Sequence, residues 1–151
     1  MKLTYRNAQE GDLTSLLGML ADDSLGKQRE PVSGFLPEAY LRAYIAITDD
    51  GNNELIVVES DRAIVGMFQT TYTPYLTYEG SWRALIEGVR VRKDCRGQGI
   101  GGNMFEWAIQ RARERGCAMI QLTSDRRRSD ALRFYERLGF VASHEGFKLR
   151  L

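Results

Sequence analysis

Four glycines lie in one short segment of this sequence, Arg96-Gly97-Gln98-Gly99-Ile100-Gly101-Gly102, between a strand-like run and an amphipathic one. Glycine has no Cβ, so such a segment can bring bare backbone N–H groups close to an anion. A helix that begins there adds its unpaired first-turn N–H groups and the positive end of its dipole. The segment therefore predicts a strand, a phosphate-binding turn and a helix in succession.

Length and composition indicate an ordinary globular protein, with 151 residues of which 43% are hydrophobic and 27% charged. We expect one domain over residues 1–151. No apolar run approaches the ~20 residues that cross a bilayer, and the N-terminus lacks the apolar core of a signal peptide. Cys95 and Cys117 lack metal-type spacing, and His144 is the single histidine. These features predict a cytoplasmic protein without a metal or a membrane partner.

The net charge of +1 gives no bulk attraction to nucleic acid, so we expect no nucleic-acid partner. Basic residues nevertheless cluster on both sides of the glycine segment, at residues 90–96 and 126–128. The clusters could face a compact polyanionic ligand, or they could be solvated edges of the protein.

Periodicity predicts a series of strands and helices, with an antiparallel meander in the first half of the chain. Asp12 is a plausible N-cap for the first helix, and Gly116 and Gly139 are natural stops for two later ones. Residues 22–37 are predicted to form a loop. The predicted strands are Leu3–Arg6, Glu54–Ser60, Ala63–Thr73, Trp82–Val91, Ala118–Thr123, Val141–Ser143 and Phe147–Leu151, and the predicted helices cover 13–20, 38–47, 101–116 and 131–138.

Gly97, Gly99 and Gly102 also match the dinucleotide pattern G-x-G-x-x-G. A dinucleotide fold requires a buried apolar strand that runs straight into the first glycine. Here the charged residues 92–96 intervene, and too little chain follows the segment for a doubly wound domain. The match is therefore weak evidence for a nicotinamide or flavin site.

A second pattern explains the glycine segment better than the dinucleotide pattern does. Val89-x-Val91 followed by Arg96-x-x-Gly99-x-Gly101 resembles motif A of the GNAT acetyltransferases. Residues 131–140, Ala-Leu-Arg-Phe-Tyr-Glu-Arg-Leu-Gly-Phe, resemble the family's motif B, A-x-x-F-Y-x-x-x-G-F. The C-terminal residues Phe134 to Phe147 look most like those of aminoalkylphosphonate-type and related small-amine acetyltransferases. The resemblance implies the GNAT fold, an α/β (α+β) fold with a mixed, mainly antiparallel sheet of six to seven strands flanked by about four helices. It also implies that this sheet splays at the cofactor and that acetyl-CoA is the acetyl donor.

The resemblance also implies roles for individual residues. The glycine segment would hold the pyrophosphate, and the strand at Val89–Val91 would bind the pantetheine amides; the same valines could equally be plain core residues. Tyr135 would protonate the departing thiolate, and the competing interpretation is an aromatic core residue. The expected cofactor-binding residues are Val89, Arg90, Val91, Arg96, Gly97, Gln98, Gly99, Ile100, Gly101, Gly102, Arg128 and Tyr135.

Glu87 is the candidate general base, because it precedes Val89 on the same strand and shares a face with apolar Leu85. A structural salt bridge is almost as good an explanation of this residue. Arg128 stands where the family often has an asparagine, and it could reach a phosphate of the cofactor or be solvated. Glu79, Tyr72 and Tyr75 are weaker candidates for lining the acceptor pocket.

We therefore expect transfer of an acetyl group to a primary amine of a small molecule, by direct attack in a ternary complex. The alternatives are a non-catalytic acyl-CoA-binding or regulatory module and a protein N-acetyltransferase. The resemblance is also compatible with a homodimer. Cys95 is expected to be a packing residue and His144 a structural one.

Overall fold

The computed structural model describes residues 2–22, 36–125, 127 and 129–151. They group into two units, Met1–Gln121 and Leu122–Leu151. A single domain over the whole chain stays a prediction. The loop predicted for residues 22–37 lies, apart from its ends, outside the described residues.

A five-stranded sheet with the strand order β1-β2-β3-β4-β5 forms the first unit. The first four strands pair antiparallel and β5 pairs parallel to β4, so the predicted mixed, mainly antiparallel sheet is confirmed. The strands are β1 Thr4–Asn7, β2 Asn53–Ser60, β3 Ala63–Pro74, β4 Trp82–Val91 and β5 Cys117–Gln121. The part of the chain that is described therefore has five strands where we expected six to seven.

The described residues form five α-helices, one more than the roughly four expected. They are α1 Leu13–Ala21, α2 Glu38–Asp49, α3 Thr77–Gly80, α4 Ile100–Glu114 and α5 Ser129–Arg137, and short 3-10 helices span Glu10–Asp12 and Lys93–Cys95. The extra helix, α3, is a single turn in the β3–β4 hairpin. None of the described helices has both the length and the apolar character needed to cross a membrane.

The sheet is covered on both faces. On one face, α1 and α2 pack against Leu55, Val57 and Met67. On the other face, α4 lies against the sheet, where Ala112 contacts Tyr72 and Ala84. Because α4 follows the glycine segment directly, this packing fixes the segment beside the end of β4.

A buried carboxylate ties α4 to β2. Glu54 is 9% exposed. It accepts hydrogen bonds from Arg111 Nη2 at 2.6 Å and from the Tyr72 hydroxyl at 2.8 Å. Burial alone would raise the pKa of Glu54, but these hydrogen bonds outweigh it and lower the pKa. Tyr72, a weak candidate for the acceptor pocket, is therefore part of the core.

Asp12 occupies the N-cap position of α1 as predicted, but its side chain does not cap this helix. Its carboxylate accepts hydrogen bonds from the Gln9 N–H at 2.7 Å and from Arg6 Nη1 at 2.6 Å, and makes no cap hydrogen bond to α1. The ion pair with Arg6 holds the carboxylate on the side of β1. The helix begins at Leu13 as predicted, directly after the 3-10 helix.

The strands predicted at Val141–Ser143 and Phe147–Leu151 are also wrong. Residues 141–151 have no regular secondary structure, and Val141, Phe147 and Leu149 are each more than 80% exposed. The Ser143 N–H donates to the Val141 carbonyl at 2.9 Å, which turns the chain on itself. Alternating apolar residues specify the two faces of a strand, but a strand also needs a hydrogen-bonded neighbour.

Candidate functional site

The glycine segment has the backbone that an anion cradle requires. Gly97 and Gly99 have φ angles of +76° and +79°, which only glycine adopts readily. Gly99 precedes the first residue of α4, Ile100, whose side chain is 2% exposed. The first backbone hydrogen bond into the helix runs from the Asn103 N–H to the Gly99 carbonyl at 3.2 Å. The N–H groups before Asn103 thus have no partner within the helix and can bind an anion.

Gly102, in the first turn of α4, is a glycine that the fold itself does not require. Its backbone is helical, and a Cβ built there meets no described atom within 4 Å. Alanine is favoured over glycine in helices. The missing side chain therefore leaves room for something outside the chain, beside the unpaired N–H groups.

Arg96 links the glycine segment to two other elements. Its Nε donates to the Val91 carbonyl at 3.0 Å, and its Nη2 pairs with Asp22 Oδ2 at 3.0 Å, just after the end of α1. Arg92, by contrast, pairs with Asp94 at 2.7 Å, so part of the basic cluster is already neutralised. Gln98 lies nearby, with its Nε2 donating to the Asp94 carbonyl at 3.2 Å.

The end of β4 presents an open edge next to this segment. The pairing of β4 with β5 stops at Leu85 and Gln121, so Ile86–Val91 has no neighbour on that side within the first unit. The Arg92 N–H donates to the Val65 carbonyl on β3 at 2.8 Å, so the backbone of Val91 points the other way, to the open edge. The pairing of β4 with β5 thus ends before Val89–Val91, as the predicted splay of the sheet requires. The Val89 carbonyl accepts a hydrogen bond from Arg90 Nη1 at 2.9 Å.

A bulge interrupts β4 where the open edge begins. Gly88 and Val89 together stand opposite Phe68 of β3, and Gly88 has a φ of +61°. Such an extra residue bends the strand and redirects backbone groups. The bulge suggested by Gly88 in the sequence is therefore present.

Glu87 precedes the bulge and is exposed. The apolar surroundings expected from its alternation with Leu85 are absent, because the buried residues of β4, Ala84 and Ile86, lie on the opposite face. A general base at this position would thus work in contact with water.

Tyr135 belongs to the second unit, at the end of α5. Its carbonyl accepts a hydrogen bond from the Phe140 N–H at 3.1 Å, and the Glu136 carbonyl accepts one from the Gly139 N–H at 3.0 Å. Gly139 has a φ of +88°, and the rings of Tyr135 and Phe140 lie 6.1 Å apart. These contacts form a Schellman motif with its hydrophobic pair. The spacing Tyr-x-x-x-Gly-Phe therefore has a structural reason.

Comparison with known proteins identifies the family to which this fold and this site belong. The model of the Acetyltransferase (GNAT) family matches residues 22–140. The chain belongs to this acetyltransferase family. It is 29% identical over 110 residues to an aminoalkylphosphonate N-acetyltransferase of Salmonella typhimurium, covering 73% of this chain and 71% of that protein.

Two solved structures share the fold over almost the whole chain. One, from Bacillus halodurans C-125, is named a transcriptional regulator; it is 59% identical, with a TM-score of 0.96 and coverage of 99% of this chain and 100% of that one. The other is named a putative acetyltransferase, from Agrobacterium tumefaciens; it is 26% identical, with a TM-score of 0.83 and coverage of 98% and 99%. The GNAT fold is therefore confirmed.

Three further residues of this GNAT protein were singled out from the sequence. Arg128 is not among the described residues. Cys95 is a packing residue as expected, 7% exposed. His144 is exposed, and its Nδ1 lies 2.7 Å from the Ser143 hydroxyl. Among the described residues, no group of three or more His, Cys, Asp or Glu side chains gathers to hold a metal.

Sequence reasoning missed Asp22, the partner of Arg96. The two residues are 74 positions apart, and no local pattern connects them. Asp22 could be found only by knowing that α1 ends beside the loop that follows β4.

Proposed function

We propose that this GNAT protein transfers an acetyl group from acetyl-CoA to a primary amine of a small molecule, by direct attack in a ternary complex. The observation that carries the proposal is the glycine segment, whose unpaired N–H groups adjoin the open edge of β4. A ligand with a pyrophosphate and an amide-bearing arm has complementary groups for both surfaces.

The pyrophosphate would bind the N–H groups of residues 97–102 at the positive end of α4. Gly102 leaves open space beside these N–H groups, because a Cβ built there meets no described atom within 4 Å. The amides of the pantetheine arm would pair with Val89 and Val91 along the open edge, as an added strand does. Arg96 and Arg90 now donate to these carbonyls. They could release them and turn to the phosphates, for which arginine has suitable planar donors.

The chemical step joins the amine nitrogen to the acetyl carbon and breaks the carbon–sulfur bond. The attacking ammonium must first lose a proton, and Glu87 would accept it directly or through a water chain. The departing thiolate takes a proton from the Tyr135 hydroxyl, and the tyrosinate regains one, namely the second proton that the nitrogen loses as the amide forms. Each proton transfer of this kind contributes roughly 10²–10⁴-fold to the rate.

The acceptor class rests on the relatives. The Salmonella typhimurium relative is named for acetylating aminoalkylphosphonates, which are small amines. This supports a small-molecule acceptor over a protein N-terminus. The homodimer and the cytoplasmic location stay predictions.

A second candidate is a regulatory module that binds acyl-CoA without turning it over. The Bacillus halodurans neighbour, named a transcriptional regulator, favours it. A panel of amines, amino acids, polyamines and aminophosphonates with acetyl-CoA, followed by thiol release, separates the two. Binding of coenzyme A without thiol release from any amine would reject the enzyme and favour the regulator.

Tyr135→Phe tests the assigned acid. We expect kcat to fall about 100-fold, because the thiolate leaves without a proton, while the Kd of acetyl-CoA changes less than about twofold. Tyr44→Phe is the matched control, since its hydroxyl makes one long hydrogen bond, 3.3 Å, to the Ala8 carbonyl. Equal losses in cofactor binding and in turnover, or an unchanged kcat, would reject the acid role.

A further inference from the structure

At the tip of the β3–β4 hairpin, the guanidinium group of Arg83 contacts two tyrosine rings. The guanidinium carbon of Arg83 lies 4.2 Å from the ring centre of Tyr75 and 4.9 Å from that of Tyr78. Its Nη2 donates to the Thr77 hydroxyl at 3.0 Å. Aromatic faces attract a planar cation, so the guanidinium is held in one place.

This cation has no counter-ion within the described part of the chain, where Nη2 makes its single hydrogen bond. Its Nε is buried and has no hydrogen-bond partner. Arg6 and Arg111, by comparison, each pair with a carboxylate at 2.6 Å. Buried donors are nearly always satisfied in folded proteins. An orphaned donor on an unpaired cation therefore points to an anion from outside the chain.

The backbone of the hairpin tip leaves the usual right-handed and extended conformations at two residues. Tyr78 and Glu79 have φ angles of +53° and +59°, in the left-handed region that non-glycine residues rarely occupy. The turn brings the Tyr78 ring over Arg83. Strain of this kind concentrates at ligand-binding sites.

Strand alternation relates Arg83 to the candidate base. Arg83, Leu85 and Glu87 share one face of β4, opposite Thr73, Thr71 and Gln69 of β3. This is the face that α1 and α2 cover further along at Leu55 and Met67. Here Arg83 and its β3 neighbours are only half-buried and Glu87 is exposed. On this face of β4 the Arg83 cation and the Glu87 carboxylate beside the bulge are therefore roughly 13 Å apart along the strand.

We propose that Arg83 binds an anionic group of the acceptor, so that the preferred acceptors are amines that also carry a carboxylate or a phosphonate. The ammonium lies toward Glu87 and the anion toward Arg83. The inference rests on the proposed function, because it assigns an acceptor to the same reaction. It adds a specificity-determining residue that no sequence motif contains.

The test compares acceptors of equal chain length that end in a carboxylate, a phosphonate or a neutral group. A charge-assisted hydrogen bond predicts a preference of about tenfold or more in kcat/KM for an anionic acceptor. Arg83→Gln should abolish this preference by lowering kcat/KM for the anionic acceptors. The kcat/KM for the neutral amine and the KM of acetyl-CoA should stay unchanged. Arg83→Lys should retain part of it. Arg113→Gln is the control, since it removes an equal charge from an exposed position on α4.

A wild-type enzyme without a preference, or equal losses for neutral and anionic acceptors in Arg83→Gln, would overturn the inference. Thiol release from no amine at all would reject the proposed function instead. In that case methylphosphonate and propionate are titrated into the ¹⁵N-labelled protein. A shift of the Arg83 Nε–H resonance that persists in Arg113→Gln supports the subsite, and its absence overturns it.

Discussion

The substitution Gly102→Ala distinguishes the effect of residue 102 on protein stability from its effect on ligand binding. The position is helical, and the added Cβ meets no described atom within 4 Å. Alanine in place of a helical glycine should therefore stabilise the protein, by about 0.5–1 kcal/mol. In a chain of this length 1 kcal/mol corresponds to roughly 2–4 °C, so we expect the melting temperature of the unliganded protein to rise by ~1–4 °C.

Binding of coenzyme A should change in the opposite direction. The new methyl group would stand among the N–H groups that we assign to the pyrophosphate, and at least one of those hydrogen bonds would be lost. A hydrogen bond to a charged group contributes about 1.5–3 kcal/mol, which corresponds to a Kd raised roughly 10- to 150-fold.

The assays are thermal unfolding without ligand and calorimetric titration with coenzyme A. Gly18→Ala is the matched control, because Gly18 is also helical and free of neighbours within 4 Å, but lies in α1. It should raise the melting temperature and leave the Kd unchanged. A Gly102→Ala protein that is more stable and binds coenzyme A with unchanged affinity would refute the anion cradle.

Two further predictions concern stability. The pKa of Glu54 in the folded protein is below its ordinary value of 4.5, so the charged carboxylate contributes stability above that pH and loses it as the pH falls through the folded pKa. In urea unfolding, Glu54→Gln should therefore be destabilised most at pH 7 and progressively less below pH 4.5; a pH-independent difference would contradict this. Gly139→Ala forces alanine to a φ of +88°, and thermal unfolding should show a loss of about 1–2 kcal/mol, smaller for Gly139→Asn; an unchanged melting temperature would show that the left-handed cap is not needed.

Local features of the sequence predicted the site elements well. β4 has the predicted bounds, Trp82–Val91, because its β-branched and aromatic residues alternate between a turn and the basic loop. Gly97 and Gly99 adopt the positive φ angles for which glycine is selected, and Gly139 ends its helix as predicted. Each of these features depends on a few neighbouring residues.

Expectations that depended on distant partners were less successful. Glu87 alternates with apolar residues, but its face of the sheet is only partly covered, so its side chain is exposed. Asp12 has the residue type and position of an N-cap, yet Arg6 competes for its carboxylate. The C-terminal apolar alternation has no described strand beside it. In each case a contact remote in sequence, or its absence, outweighed a local preference.

By itself the sequence determined the order of strands and helices, the glycine conformations and the family, because these follow from short-range sterics and from motif spacing. Only the tertiary structure decided which groups meet across the chain. In the folded protein Asp22 pairs with Arg96, and two tyrosine rings lie against Arg83, which has no counter-ion among the described residues. The pairing of β4 with β5 ends at Leu85. Those contacts depend on where whole elements pack, and packing is a property of the assembled chain.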